Sequence, residues 1–287
     1  MDLHLYVFLL VADLLFALQF LFNQQFRKRN GDGLDSTFTF SMYTNGISFI
    51  ILLALNGFKL SFTWFSVAIA LVYAIVLLFY SYSGLKAFST ANLSVYSIFT
   101  MLGGMLMPFA YGVIFLKEDF TLPKAVCILL IAVATAMSFE KGKGSKDRRN
   151  LKFYFAVFIL NGLVGVLSKM HQSNAELCVD SGSFMATVNL CVFAMCLIFH
   201  LAKNRKVPLL PLKEVGNLAC YAACSGIGNL LCLIALTTLP ASVQYPIITG
   251  GVMVFSTIIS IVRREKPFVK TLIATAIAFV STVFIMF

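Results

Sequence analysis

The sequence predicts an all-α polytopic membrane protein in which ten transmembrane helices form two inverted five-helix repeats. Three observations support this prediction. Hydrophobic residues make up 60% of the 287 residues and charged residues only 12%, about half the charged share of a soluble domain. The apolar residues fall into ten runs, each close to the length that crosses a bilayer. The two halves of the chain also resemble each other.

Composition excludes several other classes of protein. The net charge of +10 comes from basic residues in short tracts between apolar runs, as in the cytoplasmic loops of membrane proteins, so we expect no nucleic-acid partner. Six of the seven cysteines lie inside apolar stretches and are interpreted as small buried hydrophobic residues. We therefore expect no disulfide framework, no metal site and no cofactor.

The ten predicted helices begin and end where the apolar runs meet charged residues, Gly or Pro. The first run has no basic segment before it and no small-residue cleavage site after it, so we expect it to be retained as a span. A charged, Gly-containing linker at 140–149 divides the chain into predicted repeats 1–145 and 146–287. The predicted helices are 3–26, 36–57, 62–84, 92–115, 122–139, 151–172, 182–202, 214–238, 241–262 and 267–286.

The internal repeat is found by shifting the sequence against itself. Because each half holds an odd number of helices, the second half must enter the membrane from the opposite side, as in many secondary transporters. A shift of 148 residues superposes Tyr6 on Tyr154, Asp13 on Asn161, Gln24 on Gln172, Tyr73-Ala74 on Tyr221-Ala222, and Ser94-Val95 on Ser242-Val243. A shift of 147 residues superposes Gly103-Gly104 on Gly250-Gly251 and Lys117-Glu118 on Arg264-Glu265.

The distribution of Lys and Arg predicts the orientation. With ten spans, 18 of the 22 basic residues fall on one side of the membrane and four on the other. Cytoplasmic loops carry the excess of basic residues. We therefore expect a multi-pass protein of the cell membrane with both termini outside the cytoplasm.

Asp13 is the strongest candidate for a functional residue. Of the 12 acidic residues, it alone falls near the centre of a predicted span, where an ionisable group is costly and usually functional. It shares one helical face with Tyr6 and Gln24, and the repeat partners share the equivalent face of the sixth helix. One interpretation is that Asp13 binds a proton or a cationic group. The other is a protonated, structural Asp that hydrogen-bonds within the bundle.

Further polar residues within the spans are candidates for the lining of a binding cavity. Tyr73 and Tyr221 recur at the repeat offset and would present aromatic faces to a cation. Asn161 and Gln244 would supply hydrogen bonds to a substrate. The remaining candidates for the lining are Tyr245, Asn229 and Asn45.

Two further features have more than one interpretation. The pairs Gly103-Gly104 and Gly250-Gly251, with Pro108 and Pro246 in the same helices, indicate either gating bends or close helix packing, and the second is favoured. Lys169 lies near the end of the sixth helix. Its ammonium group is expected to reach the membrane surface, with anion binding as the alternative.

The chain as a whole resembles the EamA-like branch of the drug/metabolite transporter superfamily. The resemblance rests on residues 84–92 and 235–243, which are similar to the family's small-residue segments entering helices 4 and 9, and on 115–118 and 262–265, where the family often has Gly-Glu. Lys117 and Arg264 replace that Gly. The resemblance implies transport of metabolites or drugs, and an essential acid in helix 1 of the smaller four-helix relatives resembles Asp13 in placement.

These observations predict a secondary active transporter of small cationic or zwitterionic organic molecules, working by alternating access with proton coupling at Asp13. The sequence contains no HExxH, GxSxG or nucleotide-binding GxxxxGK[ST] motif, so no enzyme is expected. Two alternatives stay open: a facilitator or exchanger of neutral metabolites, and a non-transporting membrane scaffold. The expected partners are a small-molecule substrate and the lipid bilayer, and a homodimer is left open.

Overall fold

The structure, a computed structural model, describes residues 3–31, 33–88, 93–119, 121–137, 151–204, 206–263 and 269–286, and these form helices joined by short connections without a strand. The predicted linker 140–149, the repeat boundary at 145/146, Arg264-Glu265 and residues 89–92 lie outside the described residues. The helices are α1 (Leu3–Asn30), α2 (Leu34–Leu55), α3 (Trp64–Phe88), α4 (Leu93–Phe115), α5 (Leu122–Met137), α6 (Leu151–Gln172), α7 (Ser181–Asn204), α8 (Leu212–Leu236), α9 (Ala241–Val262) and α10 (Val269–Met286).

The helices have the length and composition of a multi-pass membrane protein. Within the described residues, seven are long and apolar enough to cross a bilayer. They are α1, α2, α3, α6, α7, α8 and α9. Shorter apolar segments lie in α4, α5 and α10. The predicted all-helical membrane architecture is therefore confirmed, whereas ten crossings and an inverted repeat stay predictions.

The first helix is one turn longer than the sequence predicted. The amide of Asn30 donates a hydrogen bond to the Phe26 carbonyl at 3.2 Å, which satisfies one of the carbonyl groups left free at the helix end. Gly31 follows with φ of +73°, the left-handed conformation that commonly ends helices at glycine. Arg27, Lys28 and Arg29 therefore belong to α1, because the helix continues to Asn30 and ends before Gly31.

Most helix packing joins the two halves of the chain. Helix α1 packs on α8 and α9, and α6 packs on α3 and α4. Helix α2 packs on α7, and α5 packs on α10. Each half therefore buries its apolar faces mainly against the other half rather than within itself.

Glycines bring α4 and α6 close together. A Cβ atom built on Gly103 would collide with the backbone of Phe158, and one built on Gly162 would collide with the Met107 side chain. These contacts support the interpretation of the Gly103-Gly104 pair as close packing, since small residues let helix backbones approach each other in membranes.

Large apolar side chains are also exposed around the outside of the bundle. On α1, Val7, Leu10, Val11 and Leu14 are exposed while Leu9 is fully buried. A helix that is apolar on its outer face as well as its inner face is typical of a membrane span, because lipid rather than water covers the outside.

Polar contacts concentrate at the two ends of the bundle. At one end, called the Glu214 end, Arg29 pairs with Glu214 at 2.6 Å and joins the end of α1 to the start of α8. At the other, called the Glu118 end, lie the ends of α4, α6 and α8 and the starts of α3, α7 and α9. Between these ends the interior is mostly apolar, and it is there that the candidate site lies.

Candidate functional site

Asp13 lies fully buried in the middle of α1, ten residues from Leu3 where the helix begins. Neither of its carboxyl oxygens has a hydrogen-bond partner among the described residues. Since an unpaired carboxylate away from water is strongly disfavoured, this side chain requires a proton or a cationic partner. Asp13 thus lies inside the bundle without a partner among the described residues, and its role stays a prediction.

The Asp13 carboxyl group lies directly against α9. A Cβ atom built on Gly251 would collide with the carboxyl oxygen Oδ2 of Asp13. The absence of a side chain at Gly251 thus makes the room in which the acid sits. Gly251 belongs to the pair Gly250-Gly251, which here makes room for the Asp13 carboxyl group instead of only letting two helices pack closely.

Asn161 makes the corresponding contact between α6 and α4. A Cβ atom built on Gly104 would lie 2.5 Å from its Nδ2 atom. Asn161 has interactions of its own within the described structure. The two residues that the sequence paired at the repeat offset, Asp13 and Asn161, therefore each face a glycine of the repeated Gly-Gly pairs.

Four of the predicted site residues lie on α1, α3 and α9, and we group them with Cys232 of α8. The Gln244 amide donates a hydrogen bond to the Cys232 carbonyl at 2.8 Å, and Cys232 packs against a cluster that includes Leu9, one turn before Asp13 on α1. Tyr245 packs against the buried cluster that contains Tyr73. We call Asp13, Tyr73, Cys232, Gln244 and Tyr245 the Cys232 centre.

The Cys232 centre combines an acid with a surplus of hydrogen-bond acceptors. Gln244 is 1% exposed, and its Oε1 atom, like both oxygens of Asp13, has no partner among the described residues. Free acceptors in a buried site favour a ligand that brings N–H or O–H donors, because each unpaired polar atom is costly. The centre is thus suited to a cationic or hydroxylated ligand.

The aromatic members of the centre are held in place. Tyr245 donates its hydroxyl to the Gly165 carbonyl at 2.9 Å, which joins α9 to α6. Tyr73 is buried, and its ring meets Phe184 edge to face with centroids 6.2 Å apart. Their rings therefore have fixed positions on the α3 and α9 sides of the centre.

Three predicted site residues make their observed contacts elsewhere. Asn45 donates to the Ser41 carbonyl at 2.7 Å, and Asn229 donates to the Ser225 carbonyl at 2.8 Å, in both cases within their own helix. The ring of Tyr221 packs edge to face on Phe40 with centroids 4.7 Å apart. The sequence suggested that Tyr73 and Tyr221 play equivalent roles, but their rings contact different neighbours, Phe184 and Phe40.

A buried ion pair at the Glu118 end was not anticipated. The ammonium group of Lys169 lies 3.0 Å from Glu118, and both side chains are only 10% exposed. The sequence favoured a Lys169 side chain that reaches the membrane surface, but the Glu118 carboxylate and the Leu239 carbonyl at 3.3 Å hold it inside. The signal in the sequence was the recurrence of Lys117-Glu118 as Arg264-Glu265 at the repeat offset.

A separate cavity of about 320 Å³ lies at the same end, between α2, α7 and α8. Apolar residues of α2 and α8 line it, together with Asn56 and Asp180 at its rim. Burial by itself would raise the pKa of Asp180, but hydrogen bonds from Ser183 and Asn56 stabilise the carboxylate and hold this pKa below its ordinary value. Asp180 thereby fixes the start of α7, where its carboxylate accepts the Ser183 N–H at 2.8 Å.

Comparisons with known proteins identify the fold alone. No family model and no curated protein matches the chain. Among solved structures, 28 chains match it, so the fold is shared with other proteins. One of them is a crystal structure of a protein that superposes with a TM-score of 0.80 over 99% of this chain and 96% of that chain, at 15% identity.

Proposed function

We propose that the chain is a secondary active transporter of small organic metabolites or drugs, with cationic or zwitterionic molecules favoured, that works by alternating access. The proposal includes membership of the drug/metabolite transporter superfamily and ten crossings, with both termini outside the cytoplasm. The single observation that carries it is Asp13, a fully buried acid at mid-span whose oxygens have no partner among the described residues.

The helix packing supports an inverted repeat, the architecture of many secondary transporters. In an inverted repeat, each helix exchanges places with the helix five positions away in the chain, so α1 corresponds to α6 and α3 to α8. Under this exchange the contact of α1 with α8 becomes the contact of α6 with α3. The same exchange turns the contact of α1 with α9 into that of α6 with α4. The matching positions of Asp13 on Gly251 and Asn161 on Gly104 agree with it.

The chemistry of the Cys232 centre supports coupling to protons. Asp13 has to be neutralised where it lies, either by a proton or by the positive group of a ligand. If both use the same carboxyl group they compete, which is the simplest basis for exchange of a proton for a cation. Asn161 holds the equivalent position but cannot titrate, so the coupling rests on the first half of the chain.

Thermal unfolding of the purified protein with cationic, zwitterionic, neutral and anionic metabolites tests this function at about pH 6 and pH 8. A ligand that binds only the folded state raises the unfolding temperature. We expect cations to stabilise more strongly at the higher pH, and Asp13→Asn to abolish the shift. Asp35→Asn is the matched control, because this side chain is 54% exposed at the start of α2.

Other outcomes would replace the proposal. Stabilisation by neutral compounds at both pH values, undiminished in Asp13→Asn, would favour the facilitator of neutral metabolites. Normal transport by Asp13→Asn with an unchanged pH profile would make Asp13 structural. Failure of every class of compound to stabilise the protein would leave the membrane scaffold as the better description.

A further inference from the structure

We infer that Glu118 holds a gate closed at the Glu118 end of the bundle, by binding the first turn of α9 to α4 and α6. This inference rests on the proposed alternating access. It concerns access to the Cys232 centre, and it assigns a role to Glu118 that the proposed chemistry of Asp13 does not use.

The geometry places Glu118 between helices of different halves. Its two carboxylate oxygens accept the N–H groups of Ala241 at 3.0 Å and Ser242 at 3.2 Å, the first two residues of α9. The free N–H groups and positive dipole at a helix start favour a carboxylate in this position. Glu118 follows α4 in the chain, so it caps a helix of the opposite half.

Lys169 connects the start of α9 to α6. Its ammonium group bonds to Glu118 at 3.0 Å and donates to the Leu239 carbonyl, in the connection that leads into α9, at 3.3 Å. Together with the bond from Tyr245 to the Gly165 carbonyl, these contacts attach the beginning of α9 to α6 directly at Leu239 and Tyr245, and indirectly through Glu118. Opening at this end requires them to break, because α9 cannot move away from α4 and α6 while they are intact.

The first turns of α9 cover Cys232. The Cys232 side chain is partly buried and packs against a cluster that includes Leu239, Val243 and Ile247, and its carbonyl accepts the hydrogen bond from Gln244. Displacement of α9 at this end would therefore expose the Cys232 thiol to solvent. This native cysteine is a reporter of the gate that requires no engineered label and no knowledge of the substrate.

The experiment measures the rate at which N-ethylmaleimide modifies Cys232 in the purified full chain, resolved by mass spectrometry of its peptides. Hydrogen bonds to charged groups are the stronger ones, so we expect Glu118→Gln to raise this rate about tenfold, equivalent to about 1.4 kcal/mol in the opening equilibrium. Lys169→Met should give a smaller rise, because Glu118 can still accept the two N–H groups of α9.

Glu214→Gln is the matched control, since it removes a buried glutamate from an ion pair at the opposite end. Its partner Arg29 lies on α1, which packs along α8, so the loss should leave α9 attached and the Cys232 rate unchanged. An equal rise in Glu118→Gln and Glu214→Gln would overturn the gate, since it would indicate general loosening. No rise in Glu118→Gln would overturn it too.

The gate and the proposed function can fail separately. Labelling of Cys232 reports on the gate without any ligand, whereas the dependence of ligand binding on Asp13 tests the transport chemistry. Should Glu118→Gln fold too poorly to measure, Lys169→Met carries the test, because it leaves the cap of α9 in place. In that case, a Cys232 modification rate in Lys169→Met no higher than in the unmodified protein would contradict the inference.

Discussion

The carboxyl group of Asp13 and the backbone of Gly251 occupy adjoining space at the middle of the bundle, so close that no side chain fits at Gly251. This relationship joins α1 to α9, and it explains a glycine that has no unusual backbone angle. Because the acid is fully buried, whatever occupies the space beside Gly251 determines whether Asp13 can keep its position.

The first prediction concerns Gly251→Ala. The new methyl group would displace the Asp13 carboxyl group, and overpacking of this kind costs about 1–3 kcal/mol. We expect a lower unfolding temperature and a weakened response to cationic ligands. Both are measured by thermal unfolding of the purified variant.

Gly216→Ala is the control for this prediction. Gly216 lies in α8 with no atom within 4 Å of a built Cβ, so alanine should stabilise the helix by about 0.5–1 kcal/mol. Adding Asp13→Ala to Gly251→Ala should recover most of the lost stability, because of the three atoms nearest to the new methyl group only the Asp13 Cβ, 3.2 Å away, would remain. Equal unfolding temperatures for Gly216→Ala and Gly251→Ala would contradict the steric argument.

The sequence was sufficient to predict the all-helical membrane class, whereas the pairing of Asp13 with Asn161 at the repeat offset stays a prediction. Hydropathy and repeat offsets depend on residues near each other in the chain or at a constant separation, and both can be read directly. The contact of Asp13 with Gly251 could not be read, because it depends on which helices pack together across the two halves. The same limit applies to the Cys232 centre, whose members lie on four helices, α1, α3, α8 and α9.

Lys169 shows a different limit of the sequence. A lysine near the end of an apolar helix normally extends toward the membrane surface, and nothing nearby in the chain argues otherwise. Its partner Glu118 is 51 positions earlier, in a connection that the sequence placed at the surface. Only the fold shows that this connection turns inward and buries the pair.

The second prediction compares two neighbouring glycines of α4. A Cβ at Gly103 would meet the backbone of Phe158, whereas one at Gly104 would meet only the Asn161 amide. A side chain can move aside but a helix backbone cannot, so Gly103→Ala should lower the unfolding temperature more than Gly104→Ala. Asn161→Ala should relieve Gly104→Ala and leave Gly103→Ala unchanged. The reverse ranking would show that α4 and α6 can separate without cost.

The third prediction concerns the turn that carries Glu118. Lys117 is exposed and has φ of +54°, a left-handed conformation that costs a residue with a Cβ roughly 1–2 kcal/mol. Lys117→Gly should therefore raise the unfolding temperature, although the greater freedom of glycine in the unfolded chain offsets part of the gain.

Lys117→Ala separates strain from charge in this experiment. It removes the ammonium group but keeps the Cβ, so its unfolding temperature should stay close to that of the unmodified protein. A rise as large in Lys117→Ala as in Lys117→Gly would attribute the effect to charge and leave the backbone angle without consequence.

The last prediction is a pH dependence at the start of α7. Hydrogen bonds from Ser183 and Asn56 outweigh burial and hold the pKa of Asp180 below the ordinary carboxyl value, which is about 3.9. A group whose pKa is lower in the folded state stabilises that state fully above its unfolded pKa, and the stabilisation is lost as the pH falls through the folded pKa.

Asp180→Asn should therefore lower the unfolding temperature at neutral pH and flatten its dependence on pH below about 4. Ser183→Ala should also lower the unfolding temperature, because the Ser183 hydroxyl accepts from Asn56 and from the Ser61 N–H, but it should keep most of the pH dependence, since the backbone N–H that bonds to Asp180 at 2.8 Å remains. Unfolding temperatures measured from pH 3 to pH 8 give both comparisons. A profile for Asp180→Asn parallel to that of the unmodified protein over this range would mean that the carboxylate contributes nothing to the stability of α7.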